Sequence, residues 1–165
     1  MKRGVFAPAD TWISTEYLFR RDEDGDYWLV GRRGSVVHTK RGMVYAEPVT
    51  DALGLINGVD LAATYSVSIR TQQVAVSAVT LLPGATITAA DLTEAVAGMP
   101  VGRGPDIVHV VPDLPLSPTT YRPTVSALRA AGIPKPGRHV WYLDTVSDEF
   151  RRLTPGVWSE LSGEH

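Results

Sequence analysis

The chain has 165 residues, 18 acidic against 16 basic, and a net charge of −2. That length gives one domain and a little more, with a core that needs no staples. There is no cysteine, which excludes disulfides, thiolate metal sites and cysteine nucleophiles. The four histidines are scattered, with no HxH or HxxxH pair, so no metal site is expected. The balanced charge argues against nucleic acid as a partner, because phosphate-tracking proteins carry a basic excess. No apolar run approaches the roughly 18 residues that span a bilayer, so no transmembrane segment is expected. Asp10, Thr11, Ser14 and Glu16 interrupt any signal-peptide core, and the expected location is cytoplasmic.

The first third reads as β-structure. Residues 12–19 make a broken strand, and Asp22-Glu23-Asp24-Gly25-Asp26 an acidic turn with Gly25 free to take positive φ. Residues 27–30 run back as the second strand of a hairpin. Gly31-Arg32-Arg33-Gly34 is a breaker, and residues 35–39 and 43–45 form a second hairpin around Lys40-Arg41-Gly42. Residues 47–55 then show helical spacing, with Val49, Ala52, Leu53 and Ile56 on one face. Pro48 suits the first turn, and Asn57-Gly58 ends the helix. Residues 59–69 and 74–82 read as strands, the second more apolar. Thr88 and Asp91 resemble a capping box for a helix reaching Met99 and stopped by Pro100. Residues 107–111 are another strand, followed by a loop rich in Pro, Ser and Thr from 112 to 123. A short helix over 124–131 closes at Gly132. Residues 140–143 and 150–153 suit a last hairpin, and 155–161 a final helical turn or two. The order predicts an α+β fold, a small mixed or antiparallel sheet with flanking helices, preceded by a β-hairpin.

The block from Trp12-Ile13-Ser14-Thr15-Glu16-Tyr17 through Asp22-Glu23-Asp24-Gly25 and Tyr27-Trp28-Leu29-Val30 to Gly31-Arg32 resembles the hinge region of AMP-forming, adenylate-forming ligases. Their pattern is an aromatic, Thr-Gly-Asp, Asp-x-x-Gly, an apolar strand and Gly-Arg. The resemblance continues through residues 35–53 and on to the loop at 114–122. The run Leu128-Arg129-Ala130-Ala131-Gly132-Ile133-Pro134 looks most like the actinobacterial fatty-acid transport and very-long-chain acyl-CoA synthetase branch. The resemblance implies that residues 1–33 end a large ligase domain and hinge, and that 34–165 form its C-terminal lid. The family's Ser-Gly-Thr-Thr-Gly phosphate loop is absent, so ATP activation has no seat in this chain alone.

The same resemblance assigns roles to single positions. Tyr17 stands where the family has the aspartate that binds both ribose hydroxyls, and a phenol cannot serve two hydroxyls as a carboxylate does. Glu16 is one residue early and, in a strand, faces the other way. Arg32 matches an arginine that helps hold ribose or phosphate. Arg33 and Gly34 fall at the hinge, where glycine absorbs a large backbone change freely. His38, with Lys40 nearby, meets the lysine of the segment that swings in for thioester formation, and Gly42 would let the pantetheine arm pass close. In Thr120-Tyr121-Arg122-Pro123, Arg122 replaces the adenylation lysine and keeps its charge on a larger, differently aimed fork.

In a full enzyme these residues would close over ATP, Mg2+, CoA and a fatty acyl substrate, with the large adenylation domain as covalent or separate partner. Such an enzyme could also sit peripherally on a membrane. No cofactor is expected for the isolated chain. The alternatives are a standalone, non-catalytic interaction module and a degenerate ligase remnant. The bland readings are a solvated turn for Asp22 to Asp26, a packed or edge histidine for His109, and core or capping roles for Trp28, Trp141 and Trp158. Arg20-Arg21, Arg32-Arg33 and Lys40-Arg41 could make a basic patch for CoA phosphates.

Overall fold

The computed structural model describes residues 2–3, 6–7, 11–99 and 104–163. The most apolar stretch of the chain forms the middle of a sheet. There β8 (Gln72–Leu81) lies between β7 (Val59–Ile69) and β9 (Ile107–Val110), followed by β10 (Val140–Asp144) and β11 (Glu149–Arg152), in the order β11-β10-β9-β8-β7. β8 and β9 are parallel and the other neighbours antiparallel. A parallel pair needs a crossover, and the helix α2 (Ala89–Ala97) lies on that connection. The mixed sheet and α+β class are as the sequence predicts.

Both faces of this sheet are covered. Val49 and Leu53 of helix α1 (Ala46–Gly54) and Leu92 and Val96 of α2 pack on one face, against Ala75, Val79 and Trp141. Helices α3 (Ser126–Ala131) and α4 (Pro155–Ser162) cover the other, bringing Leu128, Trp158 and Leu161 onto Tyr65, Val67, Val74 and Val76. A strand buried on both sides loses the apolar–polar alternation, which is why residues 74–82 read as one continuous run. Ser77 is buried too, and its hydroxyl meets Thr64 Oγ1 at 2.9 Å, which in turn meets Thr50 Oγ1 at 3.1 Å. That short polar ladder ties α1 to the sheet.

The capping box that starts α2 is present: Thr88 Oγ1 accepts from Asp91 N–H, and Asp91 Oδ2 accepts from Thr88 N–H at 2.7 Å. The expected stop at Pro100 lies outside the described residues. α3 is shorter than predicted, because its N-cap Val125 has no side-chain acceptor to extend it.

The N-terminal part differs more from expectation. Residues 12–19 do not form one strand. β1 (Lys2–Arg3) pairs with β2 (Thr11–Trp12), and β3 (Tyr17–Arg21) starts only after Glu16, whose φ of +58° breaks the extended chain. Glu16 therefore does not sit on a strand facing away from Tyr17. β4 (Tyr27–Arg32) runs two residues past Val30, so Gly31 and Arg32 belong to the hairpin and not to a breaker. One 3-10 turn, Arg33–Ser35, leads into β5 (Val36–Thr39) and β6 (Gly42–Tyr45), the second hairpin. No helix among the described residues is long and apolar enough to cross a membrane.

Candidate functional site

The β3–β4 hairpin places Tyr17 directly opposite Arg32. Their side chains join across the strands: an Arg32 guanidinium N–H donates to Tyr17 Oη at 2.5 Å, and its carbon lies 4.6 Å from the ring centre. The hydrogen bond and charge of Arg32 hold the phenol below its usual range, and the charge of Arg122 adds to this. Arg32 is held above its usual range by the same bond. Two of the ribose-side candidates are thus one unit, and the late-loop cation Arg122 is close enough for its field to reach Tyr17.

Glu47, in the first turn of α1, was not singled out from the sequence. It opposes the arginines' effect on Tyr17 and raises Arg32 further. Its carboxylate also accepts from Ser35 Oγ, at 3.0 and 3.2 Å. A Cβ on Gly31 would lie 2.2 Å from Glu47 Oε2, and Gly31 has φ +133°. The backbone angle is one that favours glycine, and a Cβ there would also push the Glu47 carboxylate aside. The paired signal, a glycine ending a strand and an acid opening the next helix, was present in the sequence but needed the fold to join it.

The hinge candidates lie in the 3-10 turn. Arg33 N–H donates to Glu16 O at 2.9 Å, and both Arg33 and Gly34 are exposed. Nothing lies within 4 Å of where a Gly34 Cβ would stand. Ser35 Oγ accepts from Arg32 N–H at 3.1 Å and lies 2.9 Å from Arg32 O.

The second hairpin carries His38, Lys40 and Gly42 at its outer end. His38 is exposed, and its backbone N–H donates to Gln73 Oε1 at 2.8 Å, anchoring the hairpin beside β8. Gly42 has φ +133° with open space on its Cβ side. Lys40 is exposed and lines a cavity of about 640 Å3. Arg41, between them, makes an ion pair with Asp106 at 2.9 Å and donates to Gly104 O at 2.9 Å.

Three residues of the basic pairs are engaged locally. Arg41 is tied to Asp106, Arg32 to Tyr17, and Arg21 to Gly25 O and the face of Tyr27. Asp22 is equally local: it accepts from Trp28 Nε1 at 2.6 Å and Asp26 N–H at 2.8 Å. The Trp28 bond holds its carboxyl below the usual range. Trp28 thereby closes the acidic turn, while Trp141 is a core residue.

The late loop is built, not slack. Ser117 N–H donates to Arg122 O at 2.8 Å, Tyr121 N–H to Ser117 O at 2.9 Å, and Thr124 N–H to Pro115 O at 2.7 Å. Leu116 and Pro123 bridge across its base, and Leu114 anchors it in the core. Tyr121 sits at φ +52° with its ring exposed, next to the exposed Arg122. No cluster of metal-binding side chains occurs among the described residues.

No protein-family model and no curated protein matches the sequence. Solved structures do. ATP-bound MatB from Rhodopseudomonas palustris is 26% identical with a TM-score of 0.57, over 71% of this chain and 24% of that one. The amide bond synthetase McbA from Marinactinospora thermotolerans is 24% identical with a TM-score of 0.61, over 73% and 25%. A Mycobacterium tuberculosis fatty acyl CoA synthetase is 16% identical with a TM-score of 0.56, over 73% and 24%. The chain spans about a quarter of the length of the solved structures it matches. At these identities the likeness establishes a shared fold.

Proposed function

We propose that this chain is the C-terminal domain of an AMP-forming acyl-CoA ligase acting on fatty acids in the cytoplasm. Residues 1–33 end the large adenylation domain and residues 34–165 are the lid. In the full enzyme ATP, with Mg2+, converts the acid to an acyl adenylate and releases pyrophosphate. The thiol of CoA then displaces AMP to give the thioester. Arg122 faces the charge that develops between carboxylate and α-phosphate. The Tyr17–Arg32 unit meets the nucleotide, and the His38–Gly42 end meets the thiol substrate after rotation at Arg33 and Gly34. The isolated chain lacks a phosphate cradle and is inactive.

The observation that carries this reading is the uncovered β3–β4 hairpin. Phe19 and Leu29, cross-strand partners, are 56% and 49% exposed, and Trp28 is 55% exposed. A lone hairpin with large apolar residues in water marks an interface. In the ligases that the sequence resembles, these strands belong to the large domain's sheet.

A second reading is a non-catalytic interaction module. It is supported by the replacements at three working positions: Tyr17 for aspartate, His38 for lysine and Arg122 for lysine. Joining this chain to the large domain of the Rhodopseudomonas palustris MatB, in place of its matching quarter, separates the two. Restored ATP–pyrophosphate exchange, raised roughly tenfold further by Arg122→Lys, supports the lid reading. A stable but inactive fusion, with Arg122→Lys also inactive, supports the module. Exchange by the isolated chain overturns both.

A further inference from the structure

On the sheet face away from α1 and α2 lies a cavity of about 500 Å3 between α3, α4 and the strands. Leu128, Ile133 and Ile69 supply apolar walls, and Tyr65 and His109 line it as well. Both are buried, and Tyr65 Oη lies 3.1 Å from His109 Nε2. Burial lowers the histidine to about 4 and raises the tyrosine, so the pair is uncharged at neutral pH. Trp158 of α4 completes the lining. Among the described residues, its indole Nε1 is the buried side-chain polar atom without a hydrogen-bond partner. An unmet buried N–H costs free energy that an acceptor recovers. Lys135 is the one charged side chain of the lining, and it is exposed.

We propose that this cavity is a small-molecule site, separate from the candidate ligase site, for an uncharged planar aromatic ligand bearing one oxygen acceptor. The ring lies among Leu128, Ile133 and the Trp158 indole, where apolar walls favour it. The oxygen accepts from Trp158 Nε1–H as α4 shifts to admit it, a bond the empty chain lacks. The neutral Tyr65–His109 pair supplies a polar floor, and an ion pressed against it loses hydration with no counter-charge from the floor itself; the cation of the lining, Lys135, is exposed to water. None of this depends on the chain being part of a ligase.

The test uses the purified chain and prodan, a neutral naphthyl ketone whose emission moves to the blue in apolar surroundings. The expected result is a saturable blue shift with one site per chain. Ala131→Trp, on the exposed face of α3 at the cavity wall, abolishes it with thermal stability unchanged. Trp158→Phe, which keeps a ring but removes the N–H, weakens it roughly fivefold. The proposal is overturned by a shift that does not saturate, by one that Ala131→Trp leaves intact, or by equal affinity in Trp158→Phe. The second outcome would place prodan on the exposed β3–β4 hairpin.

Discussion

The β10–β11 pair of the five-stranded sheet and the β3–β4 hairpin both carry Trp, Tyr, Leu, Phe and Arg, and end in opposite states. Trp141 on β10 is wholly buried, while Trp28 on β4 is more than half exposed. The sheet carries helices on both faces, whereas among the described residues α1 is the main element packed beside β4 apart from β3. Composition therefore does not decide burial here; the availability of a covering layer does. The sheet is covered within this chain, while Phe19, Trp28 and Leu29 of the hairpin stay exposed.

The strongest way to break the contrast is to hollow each region in turn. Trp141→Ala should lower the free energy of unfolding by about 3–5 kcal/mol, read by urea denaturation. A smaller loss would mean that the core rearranges around it. The next effect is pH. His109 is held at about 4 when folded, against 6.5 for an unburied histidine. The unfolded chain therefore binds more protons between these values, and stability falls as pH drops through that window. The full loss should be up to about 3 kcal/mol, and His109→Gln should remove most of this slope. A wild-type profile that is flat from pH 6.5 to 4 would show that the histidine reaches water. Trp28→Ser should change stability least, by less than about 1 kcal/mol, because the ring is already wet. It should nonetheless weaken association with any adenylation domain that the hairpin serves. A large stability loss would mean that the hairpin is already part of a finished core.

Sequence was most informative where local chemistry decides the structure. Thr88 and Asp91 announce a helix start because both bonds of the box lie within three residues. The packed reading of His109 follows from its apolar strand neighbours, and its partner Tyr65 lies 44 residues away. Tyr17 and Arg32 meet because β4 runs on two residues past Val30, beyond the strand end read from the sequence. Sequence offers Arg41 to a basic patch, and its partner Asp106 lies 65 residues further on, beyond the reach of any local pattern. Glu47 was missed for the same reason: its importance comes from Gly31, which has no side chain to advertise the contact. The boundary at Glu16 depends on one residue of positive φ that is not glycine, which composition does not signal.

Ser35 has a further consequence. A hydroxyl carries one proton, yet three oxygens lie within 3.2 Å of Ser35 Oγ as acceptors: Arg32 O and both carboxylate oxygens of Glu47. At any instant the proton binds either the end of a strand or the start of a helix. The 3-10 turn and the β5–β6 hairpin lie between those two points, so this hydroxyl joins chain segments twelve residues apart. The charged carboxylate is the stronger acceptor, so one serine hydroxyl ties the turn after β4 to the first turn of α1.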